Sequence, residues 1–170
     1  VKYHADRLVG PTSTWVPELC NETLLVTDGP LTGPASTSVD AVLWGSDLGR
    51  DGSRINRKVL AGLDRFAAAH LGECAPLVDG LQTMGAALTD RADFIIKADD
   101  DTYLHPANVR TLLGRYDPER VLHVGRAGQV AGVDYCSGGA GYVLSRAALL
   151  AVDWATCRHT PQGEDVSVGA

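Results

Sequence analysis

Short apolar runs alternate with helical patterns along most of the chain, and this alternation limits the fold more than any other feature. Segments 24–27 and 41–44, and the run Phe94-Ile95-Ile96, have the length and composition of buried strands. Between the second and third of these runs, one helical face is formed by Ile55, Val59, Leu63 and Phe66. We therefore predict an α/β fold in which helices flank a mostly parallel central sheet.

Further elements are predicted from weaker patterns. A second helix is predicted from the same apolar spacing in Leu77, Leu81, Met84 and Leu88. Pro106 suits the first turn of the next helix, and Ser145 suits the N-cap of the last one. Two more strands are predicted at 121–124 and 141–144, and two loops at 29–38 and 45–53.

The bulk composition fits one globular domain that spans residues 1–170. Hydrophobic residues make up 45% of the 170 residues and charged residues 21%, which is enough apolar material for a core of its own. The formal net charge is −6 and no cluster of Lys and Arg is present, so a nucleic-acid partner is not expected. Four cysteines form no Cys-x-x-Cys pair, and their disulfide pairing is left open: Cys20, Cys74, Cys136 and Cys157.

Three consecutive aspartates follow the strand at 94–96 and are the strongest functional signal. Asp99, Asp100 and Asp101 stand at the carboxyl end of a buried strand, where α/β sheets bind ligands. A hard divalent cation such as Mg²⁺ or Mn²⁺ would offset the repulsion between these carboxylates. In an extended backbone Asp99 and Asp101 point to the same side, so they could share one ligand. The alternative is a solvated acidic turn that caps the following helix.

Two later segments and one lysine carry further candidate groups. Three glycines within residues 138–141 would let a ligand approach the backbone closely, unless they form only a tight turn. Glu164 and Asp165 follow a loop that contains proline, and one of them could serve as a general base. They could instead lie at a surface turn or a helix start. Lys58, on the first predicted helix, is either solvated or reaches a diphosphate.

Taken together, three segments of the chain resemble the fringe and core 1 β1,3-galactosyltransferase family. They are the donor-site block ADFIIKADDDTY at 92–103, the glycine block YCSGGAGYVLSR at 135–146 and the acidic block EDVSVG at 164–169. Upstream, Arg7-Leu8, Thr14-Trp15-Val16 and Thr27-Asp28-Gly29 are similar to the family's opening helix and second strand. The resemblance covers nearly all of the chain, and it implies a GT-A fold that binds a nucleotide sugar.

The resemblance also implies roles on the donor side. Asp101 is the implied direct ligand of Mn²⁺ or Mg²⁺, with Asp99 as a second metal-binding candidate. Asp99 and Asp100 are implied to hold the ribose or the sugar of the UDP-sugar donor, or a water molecule bound to the metal. Lys58 matches a lysine of the family's first-helix block and is an implied donor contact.

On the acceptor side, Gly138 and Gly139 are implied to line the sugar and acceptor pocket. Asp165 is the implied general base, with Glu164 as the other candidate. The implied reaction moves a galactose or an N-acetylhexosamine type of hexose from a UDP-sugar to a hydroxyl of a glycan or glycoprotein. The implied chemistry inverts the anomeric centre and usually forms a β1,3 linkage. The alternative is a non-catalytic relative of the same fold that binds glycans or nucleotide sugars.

The resemblance further implies an enzyme of the Golgi lumen with an N-terminal type II membrane anchor. The chain begins with Val1 and has no apolar run of 18 residues or more, so we expect a piece that is truncated at both ends. The family's first strand would precede it, and a histidine metal ligand would follow Ala170. The donor sugar, the acceptor and the oligomeric state stay open.

Overall fold

The chain forms a mixed α/β structure of short strands and helices. The computed structural model describes residues 4–20, 23–27, 41–44, 52–70, 82–85, 92–154 and 163–169. Six helices occur in this part of the chain: α1 (His4–Ser13), α2 (Trp15–Leu19), α3 (Gly52–His70), α4 (Pro106–Leu113), α5 (Arg146–Ala151) and α6 (Glu164–Gly169). The strands are β1 (Leu24–Thr27), β2 (Ala41–Trp44), β3 (Gln82–Gly85), β4 (Phe94–Lys97), β5 (His123–Gly125), β6 (Ala127–Val130), β7 (Val133–Cys136) and β8 (Tyr142–Ser145).

These strands form two three-stranded sheets and one hairpin. In the first sheet β2 is central and pairs in parallel with β1 and antiparallel with β3. In the second sheet β8 is central and pairs antiparallel with both β4 and β5. The register places Lys97 at the end of β4 opposite Tyr142 at the start of β8. Strands β6 and β7 pair antiparallel with each other.

The prediction of a mostly parallel sheet is wrong for the described strands, in which β1 and β2 form the one parallel pair. A parallel pair needs a long crossover connection, usually a helix. Strand β8 instead follows the β6–β7 hairpin and a single turn of 3₁₀ helix at Gly138–Ala140, and it enters between β4 and β5 from the opposite direction. The mixed α/β class is confirmed, but its central pairings differ from the prediction.

The second predicted helix is also wrong where the structure describes it. Met84 lies in β3 and pairs with Val42 of β2. Leu77, Leu81 and Leu88 lie outside the described residues. The helical spacing of the four apolar residues therefore did not decide the structure of this segment. Residues 82–85 instead pair with the free edge of β2 through backbone hydrogen bonds.

Local signals located several other elements correctly. Strands β1, β2 and β4 and helix α3 lie where predicted, and Pro106 begins α4. Ser145 is the N-cap of α5, and its hydroxyl accepts a hydrogen bond from the Ala148 amide, as predicted. The predicted loop at 29–38 and most of the one at 45–53 lie outside the described residues, and α3 already begins at Gly52.

The main core lies between α3, the second sheet and α5. Its buried members include Leu60, Leu63, Ala67, Ile95, Tyr142, Leu144, Leu149 and Trp154. Burying one such leucine contributes roughly 1.5–3 kcal/mol. A Cβ on Gly62 would lie 2.9 Å from a methyl group of Val26, so α3 also approaches β1 closely. Helix α3 therefore packs against β1 of the first sheet and, through the core, against the second sheet.

The structure describes two of the four cysteines and part of the chain in which a membrane-spanning helix could lie. Cys20 and Cys136 carry free thiols, and burial raises the pKa of each. Cys74 and Cys157 lie outside the described residues. None of the helices in the described segments is both long enough and apolar enough to cross a membrane.

Candidate active site

The three aspartates form a turn at the end of β4, which we call the acidic turn (Asp99–Thr102). The Thr102 amide donates to the Asp99 carbonyl at 3.1 Å, and the Asp99 amide donates to the Thr102 hydroxyl at 3.3 Å. The backbone is therefore not extended. The expectation that Asp99 and Asp101 point to one side because of an extended backbone is wrong, since the chain reverses direction here on its way to α4.

The three carboxylates have different surroundings. An oxygen of Asp99 accepts a hydrogen bond from Lys97 Nζ at 2.6 Å. One of Asp100 lies 3.5 Å from a guanidinium nitrogen of Arg7 on α1. Asp101 is exposed, and no residue of the described segments forms a hydrogen bond or ion pair with its side chain. Asp101 therefore has the carboxylate that is most open to an external ligand.

Lys97 connects the acidic turn to both other candidate segments, although its residue type and position in the sequence did not make it a candidate. Besides Asp99, its ammonium group donates to the Gly138 carbonyl at 3.1 Å and lies 3.2 Å from Glu164 Oε1. The side chain is only 10% exposed. Burial alone would lower the pKa of Lys97, but Glu164 and Asp99 outweigh that effect and raise it. A lysine at the end of an apolar strand is the signal that could have identified it, because a buried ammonium needs partners.

The three residues Gly138–Ala140, which we call the glycine turn, lie directly against these charges. The Gly138 amide donates to Asp165 Oδ2 at 2.9 Å, while its carbonyl accepts from Lys97. A Cβ at position 138 would lie 2.7 Å from Glu164 Oε1 and 3.2 Å from Lys97 Nζ. An alanine here would therefore displace the ends of the Glu164 and Lys97 side chains. Gly139 is exposed, and its carbonyl accepts from the Thr102 hydroxyl at 3.4 Å.

Glu164 and Asp165, which we call the acidic pair, begin α6. The Glu164 amide donates to the side-chain oxygen of Asn56 on α3 at 3.1 Å, which fixes this end of the helix. Glu164 is 7% exposed, and burial raises the pKa of its carboxyl although Lys97 opposes the shift. Asp165 is half-buried, and its two oxygens accept hydrogen bonds from the amides of Gly138 and Val166. The interpretation of the pair as a helix start is confirmed.

The ring of Tyr142 lies next to Lys97. It is 1% exposed, makes an edge contact with His123 at 4.9 Å and lies 5.9 Å from Lys97 Nζ. Burial, followed by the negative charges of Glu164 and Asp165, raises the pKa of the phenol. The hydroxyl is therefore neutral, and no group of the described segments forms a hydrogen bond with it.

A cleft of about 1000 Å³ opens on one side of the acidic turn. All three aspartates line it, together with Lys58 and Arg7. Lys58 is only 9% exposed, and burial lowers its pKa. Much of the remaining wall is apolar, and includes Leu8, Trp15, Val16, Leu63 and Phe66. This space can hold a ligand with both apolar and anionic parts.

The structure thus brings the predicted residues together in two groups. Asp99, Asp100, Asp101 and Lys58 share the cleft. Gly138, Glu164 and Asp165 meet on the other side of Lys97, which contacts both groups. An anionic ligand could therefore bind at the first group, in the cleft, while the carboxylates of the second group stay available to act as a base.

The carboxylates of the acidic turn fit a divalent metal by the chemistry of their donor atoms. Hard cations such as Mn²⁺ and Mg²⁺ are bound by oxygen, commonly by one or two carboxylates together with substrate phosphates. Asp101 and Asp99 supply such oxygens at the rim of the cleft. Within the described segments, no three His, Cys, Asp or Glu side chains are already gathered as a metal site. The protein would thus offer a partial ligand set that a phosphate group completes.

Comparison with known proteins shows what the chain is similar to. A sequence profile of a family described as Fringe-like matches residues 1–170. A relative from Xenopus laevis, named glycoprotein-N-acetylgalactosamine 3-beta-galactosyltransferase 1, is 39% identical over 85 residues. The matched segment is 47% of this chain and 24% of the relative, so the match spans about a quarter of the relative's length.

Proposed function

We propose that this chain, which belongs to the Fringe-like family, is the catalytic domain of a metal-dependent, inverting glycosyltransferase. The observation that carries the proposal is the junction at Lys97. This single side chain contacts Asp99 of the donor-site block, Gly138 of the glycine block and Glu164 of the acidic block. We further propose that residues 1–170 form one domain of the GT-A type, with the antiparallel pairings described above.

On the donor side, the cleft would take a UDP-sugar. Asp101 is the proposed direct ligand of Mn²⁺ or Mg²⁺, with Asp99 beside it. Such an ion neutralises charge on the diphosphate leaving group. Asp100 and Asp99 would hold the ribose or sugar hydroxyls, and Lys58 would face the diphosphate. The buried Lys58, the exposed Asp101 and the half-buried Asp99 and Asp100 line one cleft, which supports this assignment.

On the acceptor side, Asp165 is the proposed general base and Glu164 the other candidate. The base removes the proton of an acceptor hydroxyl while the hydroxyl oxygen forms a bond to the anomeric carbon. The bond between that carbon and the diphosphate oxygen breaks on the opposite face, UDP leaves, and the anomeric centre is inverted. Gly138 and Gly139 would line the pocket of the sugar and acceptor. Open space surrounds the Cβ position of Gly139, whereas Glu164 and Lys97 fill the space at Gly138.

The transferred group is proposed to be galactose or an N-acetylhexosamine. The acceptor is proposed to be a glycan or glycoprotein hydroxyl, such as one of N-acetylgalactosamine, that becomes β1,3-linked. The name of the Xenopus relative and the family profile support this choice. The whole protein is proposed to act in the Golgi lumen on a type II membrane anchor.

A calorimetric titration of the chain with UDP tests the proposal. We expect saturable binding with Mn²⁺ and a loss of at least about tenfold in affinity with EDTA, because the diphosphate then faces the acidic turn without a cation. UDP-galactose and UDP-N-acetylhexosamines would then be assayed for transfer. A folded chain that binds no UDP in either condition would contradict the catalytic proposal and favour a glycan-binding role.

A further inference from the structure

We propose that Lys97 is a positioning residue that fixes the donor side of the site relative to the acceptor side. This inference rests on the proposed function. Lys97 is the last residue of β4, so its backbone is fixed by pairing with Tyr142 of β8. Its side chain crosses beneath the site and is only 10% exposed. It therefore joins a rigid strand to the segments around it.

The contacts of Lys97 form a continuous connection from the acidic turn to the proposed base. Lys97 Nζ donates to Asp99 Oδ1 at 2.6 Å and to the Gly138 carbonyl at 3.1 Å. The amide of the same glycine donates to Asp165 Oδ2 at 2.9 Å. A displacement of Lys97 would therefore move both the carboxylate beside the proposed metal ligand and the backbone that holds Asp165.

Glu164 adds a second reason for Lys97 to hold one position. This carboxylate is 7% exposed and lies 3.2 Å from the ammonium group. A buried carboxylate that loses its counter-charge is strongly unfavourable. The missing side chain at Gly138 leaves room for this pair, since a Cβ there would lie 2.7 Å from Glu164 Oε1. The cation is thus confined between a carboxylate on each side.

This arrangement predicts a specific kinetic effect. Lys97 contacts Asp99, the second metal-binding candidate, but no contact in the described segments joins it to Asp101, the proposed direct metal ligand. Loss of Lys97 should therefore weaken donor binding only moderately. Alignment of the donor and the acceptor depends on Lys97 strongly, and a misplacement of about 1 Å costs roughly 100-fold in rate. Loss of Lys97 should therefore lower kcat far more than it weakens the binding of UDP.

The test compares Lys97→Met and Lys97→Arg with a matched control, Arg120→Met, which removes an exposed positive charge outside the cleft lining. The probes are UDP with Mn²⁺ in calorimetry, and UDP-galactose with an N-acetylgalactosamine glycoside in transfer assays. We expect Lys97→Met to lower kcat by about 100-fold while the affinity for UDP changes by less than about fivefold. Lys97→Arg keeps the charge between the carboxylates and should retain at least about ten times the kcat of Lys97→Met.

Three results would overturn the inference. A kcat of Lys97→Met within about threefold of wild type would do so, and so would parallel losses of kcat and UDP affinity, as from partial unfolding. Wild-type protein that neither binds UDP nor transfers sugar would overturn the proposed function and this inference together. If Lys97→Met does not fold, the double variant Lys97→Met/Glu164→Gln, in which both buried partners are neutral, is compared with Glu164→Gln alone. A further loss of about tenfold in kcat is expected there, and no further loss would refute the positioning role.

Discussion

The acidic turn and the acidic pair lie on two sides of Lys97, but the protein surrounds their carboxylates differently. Asp101 of the acidic turn is exposed and has no partner in the described part of the chain. Glu164 is buried against Lys97, and Asp165 accepts two backbone hydrogen bonds. The first arrangement leaves oxygens free for a ligand that comes and goes. The second holds its oxygens at fixed positions, as a group that acts on a bound substrate requires.

The largest expected effect tests whether the acidic pair is catalytic. Asp165→Asn keeps an oxygen for the Gly138 amide but removes the basic carboxylate. We expect kcat to fall by about 100- to 10,000-fold, the range of a general base, with UDP affinity within about threefold of wild type. Transfer kinetics and calorimetry measure the two quantities. Full turnover by Asp165→Asn, with a large loss in Glu164→Gln, would move the role of base to Glu164.

The next effect tests whether the acidic turn binds the exchangeable ligand. Asp101→Ala should weaken Mn²⁺-dependent UDP binding by about 100-fold, or roughly 3 kcal/mol, because a cation loses a carboxylate oxygen. In EDTA, wild type and variant should bind UDP equally weakly. Asp134→Ala is the matched control, since within the described segments the side chain of this exposed aspartate on β7 accepts a hydrogen bond from Gln129 alone. Unchanged Mn²⁺-dependent affinity in Asp101→Ala would exclude Asp101 as a metal ligand.

A smaller effect tests how tightly the acidic pair is packed. Gly138→Ala places a Cβ 2.7 Å from Glu164 Oε1, so we expect the free energy of unfolding to fall by about 1–3 kcal/mol. At Gly139 a Cβ meets no described atom within 4 Å. Gly139→Ala should therefore change stability by less than about 0.5 kcal/mol. Urea unfolding measures both variants, and equal stabilities would show that the glycine turn is loosely packed.

The smallest effect is a dependence of stability on pH that comes from Glu164. Burial raises the pKa of this carboxyl above its usual 4.5, so the folded state binds the proton more tightly than the unfolded state. The contribution of Glu164 to the free energy of unfolding therefore falls as pH rises from about 4.5 through the folded pKa. Wild type should therefore lose stability relative to Glu164→Gln as pH rises above about 4.5. A difference that does not change with pH would contradict the shift.

Much of the fold was predictable where local chemistry decides it. The apolar face of α3, the proline that begins α4 and the serine that caps α5 each act within one helical turn. The β6–β7 hairpin was missed because its turn, Ala131-Gly132, places an alanine at φ 50° in place of the usual Asn or Asp. The direction of β8 was also not predicted, because strand pairing depends on partners far away along the chain.

The candidate site divides in the same way. The residue types in the three blocks pointed to carboxylate and glycine chemistry, but whether the blocks meet could not be deduced from their spacing. Lys97 was overlooked because its partners, Gly138 and Glu164, come from segments that follow much later in the chain. The unequal surroundings of Asp99, Asp100 and Asp101 likewise depend on Lys97 and Arg7, and on the turn that ends β4.

The contacts of the acidic turn also order events during synthesis of the chain. The Trp15 indole on α2 donates to the Thr102 carbonyl at 3.1 Å, and Arg7 lies beside Asp100. Helix α6 completes the other side of the site through the Gly138 amide. Because domains generally fold as units, the site is complete only once α6 has been synthesised. Chains that end before α6 would lack Asp165, the residue that accepts the hydrogen bond of the Gly138 amide.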